Sequence, residues 1–180
     1  KVKDHVRSPD WATQDRLKYT LRLFHILSAL LPVGQQAGIS TSPLTYRHWH
    51  KEHNEVFQTA TTNIIRVAEE LIKIKNKTGQ VLHLDIEPEP DGLLETGPEF
   101  IEWYNKYLIP AGIPGLREHI RLCYDVCHFA VGYEDHQAVV NELERQGIKV
   151  GKIQISSALK ASMPDDKSKR EAVKNSLSVF

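Results

Sequence analysis

Residues 122–135, "LCYDVCHFAVGYED", run from an apolar segment into an acid, Asp125, and a histidine, His128, three residues further on. With the residues before it, "EHIRLCYDVCH" (118–128) reads as a strand with a polar C-terminal end, and "DHQAVVNELERQG" (135–147) as a helix ending at Gly147. The same unit recurs outward in both directions. "QAGISTSPLTYR" (36–47) is a short strand, Ala37 to Thr41, entering a polar loop. A long helix from about Lys51 to Lys77 sets Val56, Ile64, Val67, Leu71 and Ile74 on one face, with Gly79 as its C-terminal cap. "VLHLDIE" (81–87) is a strand closed by the extended "PEPDG", and "GPEFIEWYNKYLI" (97–109) is a helix with Pro98 in its first turn. "KVGKIQISSA" (149–158) is a fourth strand, followed by the polar helix "DDKSKREAVKNSLSVF" (165–180). Ahead of them all, "DWATQDRLKYTLRLFHILSALL" (10–31) repeats Leu17, Leu21, Phe24, Leu27 and Leu31 at helical spacing. Ser8-Pro9-Asp10 is its expected capping signal, and Pro32 and Gly34 stop it.

Strand then helix, repeated four times with no two-residue hairpin turn between strands, predicts right-handed βαβ units and a parallel sheet, hence an α/β fold. Three of the strands end in polar clusters: "STS", "EPEP" and "DVCH". Parallel α/β folds build their sites at these C-terminal strand ends. Neither a GxGxxG nor a GxxxxGK pattern occurs, which argues against dinucleotide and P-loop chemistry.

Composition narrows the partners. Lys plus Arg equals Asp plus Glu at 23 each, so no global field draws the chain to nucleic acid or anionic lipid. No apolar run reaches the ~18 residues a membrane span needs. The two cysteines, Cys123 and Cys127, share one apolar segment and point to a reducing, cytoplasmic setting rather than to a staple. The chain opens on Lys1 without a signal-peptide pattern and reads as a piece of a longer protein.

In "VLHLDIEPEP" (81–90), His83, Asp85, Glu87 and Glu89 alternate with Leu82, Leu84 and Ile86, so the polar set shares one direction. An edge strand with a solvated face gives the same pattern. Against that, the two prolines after Glu87 fix an extended exit, and fixed carboxylates suit a divalent cation. Asp125 and His128 can both turn toward one centre at a strand end. Alternatively, Asp125 caps the next turn and His128 satisfies a backbone carbonyl. Cys123 and Cys127 read as packing residues directed away from any pocket. His48 and His50 form a second candidate pair or an exposed loop, and His25 a tolerated helix residue. Gln154, Ser156 and Ser157 offer hydrogen-bonding groups and weak ligands.

"GISTSPLTYR", "LDIEPEPDGLLE" and "LCYDVCHFAVGYED" together resemble the xylose-isomerase-like TIM-barrel superfamily, which holds endonuclease IV and the sugar isomerases and epimerases. More narrowly they resemble the EboE family of metabolite traffic proteins, encoded in bacterial secondary-metabolite clusters. The resemblance is strongest over residues 35–160 and treats 1–180 as one barrel segment. It implies parallel (βα) units forming the central part of a TIM barrel, with a final glutamate ligand beyond residue 180. By the same resemblance Glu87 and Asp125 are metal ligands, and His128 binds metal or contacts substrate. Gln154 stands where the superfamily usually has a histidine ligand, and Glu89 joins His128 and Gln154 at the substrate. The expected cofactor is a divalent ion (Zn, Mn or Mg), and the expected partner a sugar-like small molecule. Glu87 and His128 are the expected catalytic pair of an isomerase- or epimerase-like enzyme. Gln154 keeps a non-catalytic metabolite-binding barrel in view. An endonuclease-like repair role stands third, weakened by the zero net charge.

Overall fold

The computed structural model describes residues 6–178. Four strands, β1 (Gln36–Thr41), β2 (Val81–Ile86), β3 (Ile120–Asp125) and β4 (Val150–Gln154), form one sheet in the order β1-β2-β3-β4. Each neighbouring pair is parallel, as the strand-helix order predicts. The crossovers carry the helices: α1 (Gln14–Leu30) precedes β1, and α2 (His53–Thr78) links β1 to β2. α3 (Gly97–Trp103) and the short α4 (Leu116–His119) lie between β2 and β3. α5 (Val126–Val131) and α6 (His136–Arg145) join β3 to β4, and α7 (Lys167–Leu177) follows.

The core lies between the sheet's outer face and these helices. Leu82, Leu84 and Ile86 of β2, with Ile120, Leu122 and Tyr124 of β3, are buried against Ile64, Val67 and Leu71 of α2 and the aromatics Phe100, Trp103 and Tyr104. All five apolar positions expected on the buried face of α2 are buried, and Gly79 caps it at φ +72°. The other face of the sheet is polar, and the sheet is curled around it. Strands three spacings apart would stand about 14 Å apart in a flat sheet. Yet Nζ of Lys152 on β4 donates to Oγ of Ser40 on β1 at 3.0 Å. The four strands make a half-barrel whose inner face carries Ser40, His83, Asp85, Cys123 and Lys152.

Three expectations are corrected. The solvated edge strand does not hold for β2, which is central: His83 and Asp85 are 5% and 1% exposed. The first helix starts at Gln14 with Thr13 as N-cap, because Asp10 is engaged elsewhere by the amide of Ala12 and the hydroxyl of Thr45. The strand read through His128 ends at Asp125, since Asp125 itself caps α5 and turns "VCH" into helix.

Candidate functional site

The parallel register brings three strand ends together. Glu87 follows β2 directly, its amide extending the ladder to the Thr41 carbonyl at 2.9 Å. Asp125 ends β3 and stands in register with Gln154, which ends β4. Nε2 of Gln154 donates to Oε1 of Glu87 and to Oδ2 of Asp125, both at 2.8 Å. Nδ1 of His128 lies 3.5 Å from Oε1 of Glu87 and 3.2 Å from the Pro88 carbonyl. The carbonyl can only accept, so Nδ1 is a donor in this contact.

Asp125 divides its work between its oxygens. Oδ1 accepts from the Cys127 amide at 3.0 Å and from the Ser156 hydroxyl, while Oδ2 faces Gln154. Both structural alternatives raised by the sequence are therefore present: Asp125 caps the next turn and His128 meets a backbone carbonyl. The same two side chains also reach the cluster.

Charge follows from these contacts. Burial lifts the Glu87 carboxyl above its ordinary value, and the nearby charges of Asp125 and Glu89 push the same way, against His128 and Gln154. Burial would also raise Asp125. Hydrogen bonds from Ser156 and Cys127, together with His128, overcome it and hold the group at about 2.

The cysteines depart from expectation. Sγ of Cys123 lies 3.8 Å from Oε2 of Glu87, because residues two apart on a strand share a face and Cys123 is two before Asp125. Burial, with Glu87 adding to it, pushes this thiol to about 12, so it stays protonated. Cys127 also turns inward, and the ligating atoms of Asp125, Cys127 and His128 lie within 4.8 Å of one another.

Of the expected site residues, Glu87, Asp125, His128 and Gln154 converge and Glu89 does not. Glu89 leaves along the loop, where its Oε1 accepts from Nε of Arg7 at 3.0 Å. His48 and His50 also stand apart, beside Asp91 and Asp10 respectively, and His25 is beside Glu70. Ser156, expected as a hydrogen-bonding group or weak ligand, donates to Asp125, and Cys123 belongs to the cluster without having been given a role there. The period-two spacing to Gln154 and Asp125 was the available signal for both.

The donor set fits an oxygen-preferring divalent ion: two fixed carboxylates, an amide and an imidazole. Gln154 turns its amide nitrogen, not its oxygen, to the carboxylates, because two acceptors facing each other need a donor between them. That amide does for the carboxylates what a cation would do, with two hydrogen bonds in place of two ligand bonds.

No family model matches the sequence, and no curated protein does. Among solved structures the chain is similar to apo 3-keto-D-glucoside 4-epimerase, YcjR, from E. coli, at 10% identity and a TM-score of 0.36. The likeness covers 79% of this chain and 62% of that one. No helix among the described residues is long and apolar enough to cross a membrane.

Proposed function

We propose that this rim acts on a sugar or polyol-like metabolite by isomerase- or epimerase-like proton transfer, with a divalent cation as cofactor. One observation carries the reading. Glu87, Asp125 and Gln154, from three successive parallel strands, meet at 2.8 Å contacts with His128 beside them. Glu87, Asp125 and, with its amide turned over, Oε1 of Gln154 would hold the ion. A bound cation supplies polarisation of a carbonyl or hydroxyl oxygen. A carboxylate oxygen of Glu87 is the group suited to take a proton from the carbon beside that carbonyl and to return it. Asp125 keeps its charge, and the His128 ring orients a substrate hydroxyl.

A second reading has its own support. The Gln154 amide already satisfies both carboxylates, which suits a barrel that binds a metabolite without turnover, as an accessory protein of secondary-metabolite biosynthesis or traffic would.

Proton exchange separates the two. A panel of ketoses and aldoses is incubated in D2O with Mn2+ or Zn2+ and followed by 1H NMR. The enzyme reading expects loss of the signal at the carbon beside the carbonyl with wild-type protein and none with Glu87→Gln. Sugar binding without exchange in either protein leaves the binding barrel.

A further inference from the structure

Beside the cluster, the loops after β1 and β2 and the segment before α1 border an open cavity of about 460 Å³ lined by Arg7, Tyr46, Glu89, Asp91 and His128 among others. That size falls within the ~300–1,000 Å³ of small-molecule sites. His128 belongs to both places, since its Nδ1 stands near Glu87 while its ring lines this cavity. A ligand seated at the strand ends can therefore extend past His128 without leaving the rim.

The wall is paired. Nε of Arg7 donates to Oε1 of Glu89 at 3.0 Å and its Nη2 to the Pro90 carbonyl at 2.9 Å. The guanidinium also lies over the Tyr46 ring, 5.1 Å from its centroid. Among the described residues, Nη1 of Arg7 and Oε2 of Glu89 take no part in this pairing. They leave a donor and an acceptor on the same wall. Sugar hydroxyls match that mixture, because each both donates and accepts. A phosphate does not match it, because Glu89 neutralises Arg7 and Asp91 adds a negative charge to the same wall.

We infer that this cavity is a subsite for a second, uncharged polyhydroxylated unit, so that the ligand is a glycoside or disaccharide and neither a lone monosaccharide nor a sugar phosphate. The inference rests on the proposed sugar chemistry of the rim and adds the substrate class to it. Preorganised groups lose little freedom on binding, so the extra unit adds affinity directly.

Titration calorimetry of the full chain tests it, with methyl glucosides and methyl galactoside, the disaccharides maltose, cellobiose and lactose, and glucose 6-phosphate. The expected result is at least one disaccharide bound about tenfold more tightly than its own methyl monoglycoside, and glucose 6-phosphate bound more weakly than either. Glu89→Gln and Arg7→Gln should shrink that ratio toward one while monoglycoside affinity holds. The wild-type ratio decides the matter by itself if a variant fails to fold. Monoglycoside binding with a ratio of one, or tighter binding of the sugar phosphate, overturns the subsite and leaves the sugar reading standing. No binding of any sugar overturns both.

Discussion

Gly38 and Gly151 make room for the buried pair on the inner face, in which Nδ1 of His83 lies 2.7 Å from Oδ1 of Asp85. A Cβ built on Gly151 would stand 1.9 Å from Oδ1 of Asp85, and one on Gly38 2.2 Å from Cε1 of His83. Neither glycine has a positive φ, so the constraint is space rather than backbone conformation. Gly151→Ala should therefore destabilise the fold by ~1–3 kcal/mol through overpacking, as urea unfolding would measure. A loss under about 0.5 kcal/mol would mean that the pair moves aside freely. A glycine inside a strand pattern signals close approach, but what approaches was not legible, because His83 and Asp85 lie far off in sequence. The same limit applies to Gln154. Its place opposite Asp125 could be read from the strand order, whereas the choice of nitrogen over oxygen depends on two carboxylates meeting around it.

The strands were legible because each is a short segment with apolar residues that ends in polar ones, between helical patterns. The helix boundaries were less so. Asp10 has the residue type of a cap, but its carboxylate is taken by Thr45, 35 positions away, and the role passes to Thr13. "VCH" continues a strand pattern, yet the Asp125 cap starts a helix one residue after the last ladder position. α3 shows the opposite case, where local chemistry decides. Thr96 accepts from the Glu99 amide while Glu99 accepts in return from the Thr96 amide, and Pro98 sits in the first turn. Thr96→Ala removes one half of that exchange and should cost ~1 kcal/mol, seen as a lower urea midpoint with an unchanged slope. An unchanged midpoint would show that packing of Phe100 and Trp103 alone sets the helix start.

Across the whole molecule, parallel order could be read from the strand-helix order, whereas curvature was expected only through the resemblance to TIM barrels. The curl appears only in long-range contacts such as Lys152 with Ser40, and it turns a two-sided sheet into a half-barrel with apolar residues outside and ionisable ones within. The outer layer also carries a titrating group. His119 is 1% exposed and Nδ1 contacts the Leu82 carbonyl at 2.6 Å. Burial lowers its pKa from the ordinary 6.5, with the carbonyl and Glu118 opposing. The unfolded chain then binds this proton more readily than the folded one. Stability is complete above about pH 6.5 and falls as pH drops from there toward the lowered folded value. His119→Gln keeps a donor for Leu82 and cannot titrate, so its melting temperature should fall less than wild type's between pH 7.5 and 5.5. An equal fall would place the acid sensitivity elsewhere.

The central claim is that Glu87, Asp125 and Gln154 form one divalent-ion site. It is tested most directly by equilibrium dialysis of Mn2+ and Zn2+ against wild type, Asp125→Asn and Gln154→His, with melting temperatures measured alongside. Asparagine keeps the cap of α5 but sets an amide where Gln154 now donates, so Asp125→Asn should stay folded with a somewhat lower melting temperature while binding either metal at least about tenfold more weakly. Gln154→His should bind Zn2+ more tightly than wild type, because imidazole is the better ligand for a transition metal. Equal metal binding by wild type and Asp125→Asn, with both folded, would contradict the claim and leave Asp125 as the cap of α5.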